Sequence, residues 1–102
     1  MQSPNKARTT KSESDHIAFI KGQPCVVCDQ EGPSDAHEIE QGFWWTSIPL
    51  CRDCHQGSHN GIHGQKRIWL VKKMTELSAL NQFLGTVWAK FHRSNPAVRR
   101  AQ

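Results

Sequence analysis

Past a polar opening stretch, apolar residues first recur with helical spacing at Ile17 and Ile20, on a segment that Ser12 or Ser14 can cap and Gly22 ends. A short helix through about Lys21 is therefore predicted, with His16 as a surface or boundary residue. Residues 23 to 29 hold a CxxC in a knuckle, and Gly32-Pro33 marks a turn. Ala36 to Ile39 and Trp44 to Leu50 read as short strands around a Gln41-Gly42 turn, which makes a hairpin. Strand alternation sends one or two of Phe43, Trp44 and Trp45 inward. Core packing is the expected role of at least two of these rings, with stacking on an unpaired base as the functional alternative. A second CxxC follows where a helix should begin. Gln65 to Met74 predicts a further helix, with Trp69 and either Ile68 or Val71 for burial. Thr75 is the expected N-cap of a last helix, in which Leu77, Leu80, Leu84, Val87 and Phe91 form one apolar stripe. That stripe is expected to dock on the core, a dimer seam being the alternative. Pro96 ends any helix beyond it.

With 102 residues, the chain has room for one domain. The pattern divides it into a disordered basic arm (1–12), a folded domain (13–93) and a loose basic tail (94–102). A domain of that size buries too little apolar surface to be stable without a staple. Cys25, Cys28, Cys51 and Cys54, arranged as CVVC and CRDC, offer one. No apolar leader and no stretch long enough to span a membrane is apparent, so a reducing, intracellular compartment is expected. There, paired CxxC motifs read as zinc ligands rather than disulfides. The expectation is a small α+β domain stabilised by Zn²⁺.

The net charge of +4 is segregated along the chain. Lys6, Arg8 and Lys11 stand without an acid in residues 1–12, whereas residues 13–40 hold seven acids against Lys21. Residues 64–102 carry eight bases against a single acid, Glu76. Basic ends suit a polyanion such as DNA, because Lys and Arg release counterions from phosphates. The alternative is a solvated basic face, and the acidic middle argues against an all-round DNA clamp.

Four histidines, His37, His55, His59 and His63, share 27 residues with the second CxxC. His55 directly follows Cys54, so fixing that cysteine on zinc fixes His55 beside it. His59 lies four residues on, on the same face if the helix continues. Gly57, Asn60, Gly61 and Gly64 disfavour such a helix, and a loop can instead bring His63 back towards His55. Neutral imidazoles suit Zn, Mn, Fe or Ni, and the Glu38 carboxylate suits Mg or Mn. A second metal or catalytic site beside the structural zinc is expected. A Cys₃His zinc with one spare thiol is the competing arrangement, and Glu38 as a solvated strand residue is the plain alternative to a role in the site.

A CxxC, a His-containing hairpin, I-P-L-C-R-D-C-H and a downstream His resemble the HNH (His-Me finger) endonucleases, whose ββα-metal unit is often buttressed by a CxxC…CxxC zinc. The order helix, C-V-V-C, G-P-S-D-A-H-E-I, I-P-L-C-R-D-C-H, G-I-H-G and Trp-containing helix is similar, from about Ser14 to Phe91, to phage recombination-enhancement nucleases that act with a RecA-type recombinase. The resemblance implies a ββα-metal, treble-clef-like HNH core with flanking α-helices. It implies a metal-dependent endonuclease that hydrolyses phosphodiester bonds of DNA, single-stranded or recombinase-bound, in phage recombination. The implied partners are DNA and a RecA-type filament, for a monomer or weak dimer in the cytoplasm of a bacterial host. Besides the Zn²⁺ on the four cysteines, it implies a catalytic Mg²⁺, Mn²⁺ or Zn²⁺. His55 and His63 match the helix-side and downstream ligands, His59 is the rival for the second, and His37 matches the hairpin motif.

Two positions depart from the family pattern. His37-Glu38 stands where many members have two adjacent histidines or Asp-His, and Thr46 or Ser47 stands where a middle Asn orients the base. If His37 is a ligand, Glu38 takes the base position; if His37 is the base, the ion keeps more water. A non-catalytic zinc-finger DNA-binding or adaptor module is the alternative function. A transcription-factor-like reader is disfavoured, since no basic recognition helix stands clear of the apolar stripes.

Overall fold

Thr10 and Glu13 open the first helix, α1 (Lys11–Lys21), with a capping box: Thr10 Oγ1 accepts from Glu13 N–H at 3.1 Å and Glu13 Oε1 accepts from Thr10 N–H at 2.8 Å. The expected cap was Ser12 or Ser14, but only Thr10 has a Glu three residues on to complete the pair. The helix therefore takes in Lys11 and Ser12, assigned from sequence to the arm. The computed structural model describes residues 8–93; the remainder of the expected arm and the expected tail lie outside the described residues.

Strands β1 (Asp35–Glu38) and β2 (Ser47–Leu50) form an antiparallel pair in which His37 faces Ile48 and Glu38 faces Ser47. The second strand is shorter than predicted because Trp44–Thr46 winds into a 3₁₀ turn. Alternation is lost there, so two of the three aromatic rings stay outside: Phe43 is 56% and Trp45 54% exposed, correcting the expectation that at least two pack in the core. Trp44 is half-buried, and the ring of Trp45 lies 4.9 Å from that of His16 on α1. All four residues of β2 are buried, since α1 and the later helices pack against it.

Cys51 caps α2 (Arg52–Gln56), its Sγ accepting from Cys54 N–H at 3.4 Å. Lys66 (φ 58°) and Lys73 (φ 55°), both in the left-handed region, bracket α3 (Arg67–Val71) and hold it to five residues. Trp69 of α3 is fully buried and donates from Nε1 to the Cys54 carbonyl at 3.0 Å. Ile68 packs beside it, while Val71 points to solvent.

Helix α4 (Glu76–Arg93) begins where Thr75 and Ser78 exchange backbone-to-hydroxyl hydrogen bonds of 2.8 and 3.0 Å, as the expected cap. Its inward face is Ala79, Leu80, Phe83 and Val87. The predicted stripe is thus rotated: Leu80 and Val87 are in it, but Leu77 (73%), Leu84 and Phe91 (69%) are exposed, with Trp88 beside them. The apolar arc of α4 is wider than the core it covers, and polar anchors choose which part faces in. Gln82 Nε2 donates to the Val26 carbonyl at 3.2 Å, and Glu76 reaches His37.

Among the described residues the fold is α+β, a two-stranded sheet with four α-helices around a core that contains the cysteines. No helix among them is long and apolar enough to cross a membrane.

Candidate metal centre

The first CxxC lies in a knuckle closed by hydrogen bonds from Cys25 N–H to the Gln30 carbonyl and from Asp29 N–H to the Cys25 carbonyl, each 2.9 Å. Asp29 takes the left-handed backbone this turn needs (φ 66°). Val26 N–H donates to the Pro49 carbonyl at 3.0 Å and so ties the knuckle to β2, whose end delivers Cys51. The four thiol sulfurs all lie within 4.8 Å of one another, with no histidine among them. Cys28 and Cys51 are 3.6 Å apart at sulfur, close to the ~3.8 Å separating two thiolates on one tetrahedral zinc. The set is the Cys₄ arrangement rather than Cys₃His.

Thiol chemistry in the cluster favours a cation. Burial raises the Cys28 and Cys54 thiols above the usual range, and the neighbouring Cys25 raises them further. Burial opposes ionisation of Cys25 too, but backbone hydrogen bonds from Cys51, Cys28 and Val27 outweigh it and bring Cys25 below the usual range. One sulfur is readily a thiolate while its neighbours resist a second charge; a divalent ion reverses that repulsion.

One residue past Cys54 the second cluster begins. His37 on β1, His55 on α2 and His63 in the following loop bring one ring nitrogen each to within 4.8 Å of the others. Ring centroids are 4.9 to 5.2 Å apart. His37 is buried, His55 half-buried and His63 exposed, so the cluster opens to solvent through a cleft walled by Ala36, Glu38 and Gln41. His37 Nδ1 and His55 Nε2 face each other at 3.2 Å. The opposite nitrogens meet carboxylates, His55 Nδ1 on Asp35 Oδ2 at 2.8 Å and His37 Nε2 on Glu76 Oε2 at 2.6 Å.

The return of His63 is the work of three glycines. Ile62 N–H donates to the Cys54 carbonyl at 2.9 Å and His63 N–H to the His55 carbonyl at 3.2 Å, so the loop runs back along α2. A Cβ on Gly61 would stand 2.5 Å from the Gly57 carbonyl oxygen and 2.8 Å from that of His55; one on Gly64 would stand 2.4 Å from the Gly57 oxygen. These contacts are backbone and cannot swing aside. Gly61→Ala is expected to push His63 away from His37 and His55, so that metal counting by mass spectrometry would read a loss of any ion held by the histidines and none of an ion held by the cysteines.

The other expected site residues fall around this frame. His59 is exposed, its carbonyl accepting from Arg67 N–H at 2.9 Å, and it stands outside the triad because α2 ends at Gln56. Glu38 lies on the cleft wall, with Oε1 accepting from Gly42 N–H at 2.7 Å. His37 is held by Glu76 rather than by Thr46, whose hydroxyl bonds the Phe43 carbonyl, or Ser47, which is buried in β2. Asp35 and Glu76 are site residues that the sequence reading missed. Their signals were present: Asp35 shares a strand face with His37, and Glu76 is the sole acid in residues 64–102.

Comparison with protein-family models, with curated proteins and with solved structures finds no match. The class defined by fold and site is therefore a small α+β domain with two adjacent clusters of metal-ligating side chains, one closed and sulfur-based, one open and imidazole-based.

Proposed function

We propose that the chain is a metal-dependent DNA endonuclease of the HNH (His-Me finger) type, hydrolysing phosphodiester bonds. The observation that carries this reading is the open His37–His55–His63 triad on a hairpin-then-helix frame, β1–β2–α2, seated one residue from a Cys₄ cluster. Closed thiolate sets are structural, whereas three imidazoles with an open side leave room for water and substrate. The donors fit an ion: two imidazoles on one tetrahedral zinc stand ~3.3 Å apart, and His37 and His55 present their nitrogens at 3.2 Å. Mg²⁺, Mn²⁺ and Zn²⁺ are the candidates.

A divalent ion bound there supplies charge neutralisation at a scissile phosphate and stabilisation of the departing 3′ oxygen. The residues of the chain do the rest. His55 and His63 orient from the helix and the loop, and His37 closes the set from the hairpin. Glu38, on the cleft wall, is the carboxylate at hand to take a proton from water. Single-stranded or recombinase-bound DNA is the proposed substrate and a RecA-type filament the proposed partner, on the motif similarity described above.

The test is incubation of single-stranded and supercoiled DNA with the zinc-loaded protein, with and without a recombinase filament, in Mg²⁺ or Mn²⁺ against chelator. Metal-dependent cuts are expected. A folded protein that binds DNA and cuts none of these forms overturns the nuclease reading. It would favour a non-catalytic zinc adaptor, a reading to which the exposed Leu77, Trp88 and Phe91 of α4 lend themselves.

A further inference from the structure

In the triad, the outward nitrogens of His37 and His55 both meet carboxylates, which decides where their protons are. A carboxylate accepts, so the ring nitrogen beside it must donate: Nε2–H of His37 to Glu76, Nδ1–H of His55 to Asp35. In neutral rings the inward nitrogens, His37 Nδ1 and His55 Nε2, are then both bare and aim lone pairs at each other across 3.2 Å. Two facing lone pairs repel. A cation between them, or a proton, makes that geometry favourable.

We propose that Glu76 is a positioning residue of the histidine site: it fixes the His37 tautomer with Nδ1 bare, and thereby makes His37 a metal ligand through Nδ1, as Asp35 makes His55 one through Nε2. The inference rests on the reading of the triad as a metal site, and deepens it. The geometry is specific. The His37 ring is only 7% exposed, so it has little freedom to flip, and its 2.6 Å contact to Glu76 is the shorter of the two carboxylate contacts. Glu76 comes from the first residue of α4, which joins the C-terminal helix to a site otherwise built from residues 35 to 63. Carboxylates behind ligating imidazoles orient the ring and raise its basicity, and removing one typically weakens metal binding 10- to 100-fold. Glu76 is the one acid in residues 64–102, and its carboxylate is the acceptor that holds the ligand tautomer.

Zinc binding to wild type, Glu76→Ala and Glu76→Gln, measured by competition with a chromophoric chelator, tests this. Wild type is expected to take two zinc ions per chain. Glu76→Ala should bind the weaker one about 10- to 100-fold less tightly and keep the cysteine-bound ion. Glu76→Gln should fall between them, because its amide oxygen still accepts from Nε2–H. A second readout needs no ion at the triad: ¹⁵N–¹H correlation spectra of the His37 ring should report the Nε2–H form in wild type and Glu76→Gln, and mixed tautomers in Glu76→Ala. Wild-type affinity and an unchanged tautomer in Glu76→Ala overturn the role of Glu76 while leaving the metal site standing. A wild-type protein that takes only one zinc overturns the metal reading, and this inference with it. Should Glu76→Ala also lose the cysteine-bound zinc, Glu76→Gln decides by the same two readouts.

Discussion

Cys54→Ser is expected to yield a chain that no longer folds cooperatively. A structural zinc contributes ~10–16 kcal/mol to small domains that depend on it, against a typical net stability of ~5–15 kcal/mol, so losing a ligand removes the margin. Cys54 is also fully buried in the core, where a serine hydroxyl would replace its sulfur. Circular dichroism during heating, paired with zinc counting, reads the result; a variant that melts cooperatively and without zinc would sink the staple. The pH dependence has a definite sign. Zinc must expel the protons that burial and Cys25 hold on Cys28 and Cys54. Uptake therefore releases protons, and affinity falls as pH falls, by about tenfold per unit for each proton displaced.

His55→Ala is the second large effect, and it separates chemistry from stability. His55 touches no sulfur of the Cys₄ set, so the variant should keep its structural zinc and its fold. On the proposed nuclease reading it should lose metal-dependent DNA cleavage by ~10³-fold or more, the scale of removing charge stabilisation from a reacting phosphate. His59→Ala is the matched control: an exposed imidazole outside the triad, whose loss should leave cleavage within about twofold, the margin for a surface change. Equal activity of His55→Ala and wild type, at matched zinc content, would remove the triad from the mechanism.

What the sequence made legible was the local chemistry. The paired CxxC spacing led to the Cys₄ cluster, the Gln41-Gly42 turn to the hairpin, and the glycines after His55 to a loop that returns His63. What it concealed depends on rotation and long-range placement. The α4 stripe could be read with helical periodicity, but which part of a wide apolar arc faces inward is decided by Glu76 and Gln82 meeting groups 39 and 56 residues away. The aromatic run misled because a 3₁₀ turn replaced the strand. Asp35 and Glu76 were hidden because an acid behind a histidine has no fixed sequence spacing.

The adjacency of Cys54 and His55 carries an implication for assembly in time. An ion on the four cysteines would lock the start of α2, and with it His55 and the Cys54 carbonyl against which the loop returning His63 lies. On the proposed two-metal reading the clusters are expected to fill in order, thiolates first and imidazoles second, and to empty in reverse. A brief exposure to a weak chelator should then yield a protein that stays folded and refills its histidines from a pulse of metal, whereas prolonged stripping should cross a point of no easy return.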